Sequence, residues 1–124
     1  MSKKIIVIDD SQTVRQQVAL VLGGAGYEII EAEDGVDGAR AIRANPSAVL
    51  AVCDVNMPGL GGIEMLESLR NETASFALPI IMLTTEGRPD LIERAKANGA
   101  KGWMVKPFKP TMLLAAVRKI AGEP

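Results

Sequence analysis

The chain has 124 residues, a formal net charge of -1, a single cysteine and no histidine. That length reads as one domain, and a near-neutral balance argues against non-specific nucleic-acid binding. The lone Cys53 excludes a disulfide framework or a cysteine zinc site, and the lack of histidine excludes histidine catalysis, histidine metal ligands and a phosphohistidine made within this chain.

Only four apolar residues separate Lys4 from Asp9, too few for a signal peptide or a membrane span. With one unpaired thiol, the expectation is a soluble cytoplasmic protein. The apolar run Ile5 to Ile8 predicts a strand buried on both faces, ending in Asp9 and Asp10. Ser11 is a good helix N-cap, and Val14, Val18, Val21 and Leu22 recur at helical spacing until Gly23 and Gly24 stop the helix. Tyr27 to Ala32 predicts a second strand. Glu33, Asp34 and Gly35 turn into a helix that runs to about Ala44, and Pro46 prevents its continuation.

Val49 to Cys53 form an unbroken apolar run that ends in the carboxylate of Asp54 before Pro58 and Gly59 turn the chain. A flexible loop through Gly62 leads to a helix striped by Ile63, Leu66 and Leu69. Pro79 to Thr84 predicts a fourth strand. Pro89 suits the first turn of a helix that buries Leu91, Ile92 and Ala95 and stops near Asn98 and Gly99. Trp103 to Val105 predicts a short fifth strand ending in Lys106 and Pro107. Pro110 opens a last helix with Leu113, Val117 and Ile120 on one face. Five apolar strands alternating with five helices predict an α/β fold, a parallel sheet covered on both faces by right-handed crossovers.

The polar residues at the strand ends share a carboxyl-end rim in such a sheet, where ligands bind. If strands one, three, four and five are neighbours, Asp9, Asp10, Asp54, Thr84 and Lys106 converge on one shallow cleft. Three clustered carboxylates repel one another and call for a hard cation, and Mg²⁺ takes carboxylates together with water and phosphate oxygens. Lys106 suits a phosphoryl oxygen, Thr84 offers a hydroxyl donor, and Asp54 can act as a nucleophile toward phosphorus. Each residue alone has an ordinary structural reading: Asp10 a cap, Lys106 a solvated end, Thr84 a β-branched strand residue. The functional reading rests on their occurring together.

Asp9-Asp10, Asp54 to Gly59, Thr84 and Lys106-Pro107-Phe108 together resemble the receiver domain of two-component response regulators, over essentially the whole chain. The stand-alone chemotaxis regulators are the most similar branch. The resemblance implies a flavodoxin-like (βα)5 fold with strand order 2-1-3-4-5, and residues 1–124 forming a single receiver domain without an effector domain. It implies that Asp54 is the phosphoacceptor and that Asp10 and Asp54 bind Mg²⁺ with the backbone carbonyl of Asn56, Asp9 acting partly through water. It implies further that Lys106 binds the phosphoryl group, that Thr84 moves toward it and that Trp103 changes rotamer. Lys106-Pro107 is expected to be cis. Trp103 is bulkier than the Tyr or Phe usual at this position, and Lys109 is a poor N-cap for the last helix.

The implied protein is a phosphorylation-activated signalling switch. Beyond transfer to itself from small phosphodonors and autodephosphorylation, it is not an enzyme. Its expected partners are a sensor histidine kinase, a downstream target such as a flagellar motor or other motility component, and a phosphatase. A phosphorelay intermediate or phosphate sink is the alternative. A haloacid dehalogenase-type phosphatase would need a second Asp two residues after Asp54, where this chain has Asn56. A scaffold-only receiver is disfavoured by the intact five-residue set. Beyond Thr85 the chain carries eight basic residues and four acids, one of them Glu86, in the region that resembles the family's output surface.

Overall fold

The computed structural model describes residues 2–72, 77–85 and 87–124; Glu86 therefore lies outside the described residues. Strand and helix alternate along the chain: β1 (Lys4–Ile8), α1 (Gln12–Gly24), β2 (Glu28–Ala32), α2 (Gly35–Ala44), β3 (Leu50–Asp54), α3 (Gly62–Glu72), β4 (Ile80–Thr84), α4 (Pro89–Ala97), β5 (Ala100–Val105) and α5 (Pro110–Ala121). The strands form one parallel sheet in the order β2-β1-β3-β4-β5, as the family resemblance implies.

Alternate strand residues point to opposite faces, so each unbroken apolar run feeds two cores at once. Ile6, Ile8, Ala51, Cys53, Ile80 and Met82 pack with Ala39 and Ile42 of α2, Leu66 and Leu69 of α3, and Ala95 of α4. Ile5, Val7, Leu50, Val52, Ile81 and Leu83 pack on the other side with Val18 and Leu22 of α1 and Leu113 and Val117 of α5. All five residues of β3 and of β4 are buried. Ser11 caps α1 by accepting from the Val14 amide, and Asp34 caps α2 by accepting from the Asp37 amide. Lys109 stands at the α5 N-cap without a side-chain cap bond, as expected for that residue.

The fifth strand is longer than the sequence suggests. It begins at Ala100, and Lys101 falls in a register irregularity: Ile80 opposes Ala100, whereas Ile81 opposes Gly102. Gly102 looks like a strand breaker in the sequence, but here its bare backbone faces Ile81, whose Cγ1 would lie 3.3 Å from an added Cβ. The peptide between Lys106 and Pro107 is cis.

Close approach governs the start of α3 beneath the sheet rim. A Cβ on Gly62 would collide with the backbone carbonyl oxygen of Asp54 and come within 3.0 Å of the Cys53 sulfur. At the end of α1, a Cβ on Gly24 would meet nothing within 4 Å. Gly62→Ala is therefore expected to lower the unfolding free energy by about 2 kcal/mol or more. Gly24→Ala should raise it by about 0.5 kcal/mol, chiefly by restricting the unfolded chain. Urea denaturation of the two variants checks both signs.

Candidate functional site

The rim at the carboxyl ends of the central strands gathers the polar residues that the apolar runs terminate in. Asp9 follows β1, Asp54 ends β3, Thr84 ends β4 and Lys106 follows β5. Adjacent strands end level with one another: Ile8 opposes Cys53, Asp54 opposes Leu83, and Thr84 opposes Val105. The side chains that follow are thereby held on one edge.

Carboxylate oxygens of Asp9, Asp10 and Asp54 all lie within 4.8 Å of one another. Asp9 and Asp54 are buried, whereas Asp10 is exposed. The Lys106 ammonium donates to Asp9 Oδ2 at 2.9 Å and stands 3.5 Å from Asp54 Oδ2. The Ser11 amide donates to Asp9 Oδ1 at 2.9 Å, and the Asn56 amide to Asp54 Oδ1 at 3.3 Å. Thr84 is fully buried, and its carbonyl accepts from the Lys106 amide at 2.7 Å, joining the end of β4 to the lysine's backbone. Trp103 lies on the edge strand β5, half-buried, opposite Met82 and packed against the core of the α2-α3-α4 face.

One ammonium facing three carboxylates leaves an excess of negative charge. Burial, followed by the neighbouring Asp9 carboxylate, pushes Asp54 up to about 6, with Asp10 adding to the rise and Lys106 and the Asn56 amide opposing it. Behind it, burial pushes the Cys53 thiol far above its ordinary range; the thiol donates to the Asp54 carbonyl at 3.3 Å. The donor set is hard oxygen with surplus charge, one side of it open to solvent at Asp10. That suits a divalent cation of the Mg²⁺ type better than a soft metal.

The structure thus brings together Asp9, Asp10, Asp54 and Lys106, with Thr84 and Asn56 adjoining and Trp103 two residues before Val105, the β5 residue level with Thr84. Sequence reasoning missed Arg15. Its Nη1 donates to the Asp9 carbonyl at 2.7 Å, and its Nε pairs with Glu31 Oε1 at 3.1 Å. The available signal was spacing: four residues beyond the N-cap Ser11, a helical side chain leans back over the preceding turn.

The sequence model of the response regulator receiver domain matches residues 5–118. The chemotaxis protein CheY1 of Helicobacter pylori strain 26695 is 36% identical over 120 residues, covering 96% of this chain and 97% of that one. A CheY homologue of Campylobacter jejuni strain 81-176 is 35% identical over 120 residues, covering 96% and 92%. The crystallised chemotaxis protein CheY4 of Vibrio cholerae superposes with a TM-score of 0.89 at 37% identity, covering 97% of this chain and 99% of that one.

The buried Asp54 carboxylate makes stability depend on pH. The folded value for Asp54, about 6, exceeds its ordinary 3.8, so between these limits the native state binds the additional proton. The stabilisation from protonated Asp54 is complete below 3.8 and is lost as pH rises through about 6. Without divalent metal, Asp54→Asn should therefore be more stable than the wild type at pH 7.5, by about 1–3 kcal/mol. The gap should shrink at pH 5 and on adding Mg²⁺. Urea unfolding at the two pH values measures it; an Asn variant less stable at pH 7.5 would contradict the charge-repulsion account.

Proposed function

The chain belongs to the response regulator receiver family, and on that footing we propose that Asp54 accepts a phosphoryl group from the phosphohistidine of a sensor histidine kinase and so switches the affinity of the protein for a downstream target. The observation that supports this most is the single Lys106 ammonium held against both Asp9 and Asp54 at the sheet rim. That arrangement keeps a cation within reach of any group attached to Asp54.

Family members of this kind are signalling proteins rather than classical enzymes, and receiver domains bind Mg²⁺ at an acidic site. Here Asp9, Asp10 and Asp54, with the backbone carbonyl of Asn56, are the residues proposed to hold it. Bound Mg²⁺ offsets carboxylate repulsion and draws charge from phosphoryl oxygens. An Asp54 carboxylate oxygen attacks phosphorus; the phosphorus-nitrogen bond of the donor breaks, and the imidazole nitrogen keeps the electron pair. Attack needs the carboxylate ionised, and the cations at the site favour that form. Lys106 pairs with a phosphoryl oxygen, and the Thr84 hydroxyl donates to another. Drawing Thr84 toward the rim frees space for Trp103, one strand over, to turn inward. Hydrolysis of the acyl phosphate, unaided or with a phosphatase, resets the switch.

The relatives that cover nearly the whole chain at 35 and 36% identity are chemotaxis proteins, which favours a motility target such as a flagellar motor component over a phosphorelay or sink role. No helix among the described residues is long and apolar enough to cross a membrane. The free, buried Cys53 suits a reducing compartment, and we place the protein in the cytoplasm.

Incubation with acetyl phosphate and Mg²⁺ should add one phosphoryl group to the wild type and none to Asp54→Asn, read by mass spectrometry. Equal labelling of the two would overturn the assignment. Beryllium fluoride with Mg²⁺ should change Trp103 emission and reduce its quenching by iodide. Thr84→Ala should bind the same mimic and lose most of that change. A complete shift from 1:99 to 99:1 needs about 5.5 kcal/mol of differential affinity, so a partial response is expected.

A further inference from the structure

We infer that Arg15 is a positioning residue for the metal site: by holding the Asp9 carbonyl, it sets the peptide that carries the Asp10 carboxylate into the cluster. The inference rests on the reading of Asp9, Asp10 and Asp54 as an Mg²⁺ site.

The argument starts from how the two acids are held. Every polar group of Asp9 is engaged. Its amide donates to the Ala32 carbonyl at 3.1 Å, its Oδ1 accepts from Ser11, its Oδ2 accepts from Lys106, and its carbonyl accepts from Arg15. Asp10 is different. It is exposed, and among the described residues no hydrogen bond or ion pair holds its carboxylate, although that carboxylate lies within 4.8 Å of the other two. Its place is therefore set through its backbone, and the plane of the peptide joining it to Asp9 is fixed by what the Asp9 carbonyl binds. The group bound there is the Arg15 guanidinium. Arg15 is itself restrained: its amide donates to the Ser11 carbonyl at 2.9 Å, its Nε pairs with Glu31 on β2, and its side chain is only 14% exposed. It thus ties α1, β2 and the β1-α1 turn into one unit. Partners of this kind, one step removed from a metal, commonly alter metal affinity ten- to a hundred-fold when removed.

A through-space effect has the opposite sign. Arg15 is cationic, so removing its charge beside a cation site should tighten Mg²⁺ binding. Positioning requires it to weaken. The test is Mg²⁺ titration by isothermal calorimetry on the full chain, with wild type, Arg15→Met and Arg15→Lys, each well below its own melting temperature. The methionine keeps an apolar stem and loses both donors. The lysine retains the charge and can still donate once to the Asp9 carbonyl. The expected result is an Mg²⁺ Kd raised about five-fold or more in Arg15→Met, with Arg15→Lys in between. An Arg15→Met variant that binds Mg²⁺ as tightly as wild type or tighter, whatever its melting temperature, overturns the proposal. A wild-type chain that binds no Mg²⁺ overturns the metal site itself, and the proposal with it.

Discussion

Mutual repulsion of carboxylates at the rim of a buried sheet is the constraint around which the rest is arranged. Asp9 and Asp54 sit where the strands end, largely out of water, and ionised carboxylates so placed are costly unless countered. Lys106 supplies the counter-charge from the far side of β4, and it can do so only because the β5 strand runs parallel and ends level with its neighbours. The compensation is partial: burial first, and then the Asp9 carboxylate, still hold the Asp54 value up. A cluster neutralised in full would hold nothing to attract a cation. The residual negative charge suits the rim to a cation, and burial of apolar side chains in the two cores above and below the sheet offsets the cost of keeping it.

Much of this was legible in the sequence because the strands are written as unbroken apolar runs. Ile5 to Ile8, Val49 to Cys53 and Pro79 to Leu83 have no polar residue to blur their ends, so Asp9, Asp54 and Thr84 stand out as rim residues. The fifth strand was only half legible. The apolar pattern starts it only at Trp103, and the packing of Ile81 against Gly102 explains why a glycine belongs in that strand. Arg15 was not legible as part of the site. A basic residue one turn into an amphipathic helix reads as solvent-facing, and its contact is with a backbone carbonyl, which leaves no pattern in side-chain types. The state of Asp54 was also out of reach, since proximity of acids can be inferred from strand ends but burial cannot be weighed against it without coordinates.

The placement of Cys53 has a consequence for how the molecule opens. The thiol lies in the central strand, with no exposed surface, donating to the Asp54 carbonyl and flanked by β1 and β4. Fraying of the edge strands β2 and β5 leaves it covered. Its side chain points to the α2-α3-α4 face, where Gly62 opens α3 over it, so a thiol reagent reaches it only when that helix layer lifts or the core opens as a whole. The single cysteine is thus a reporter of openings that uncover this core. Where reclosing outpaces alkylation, its rate reports the population of those open states, and it is blind to fraying of the edge strands.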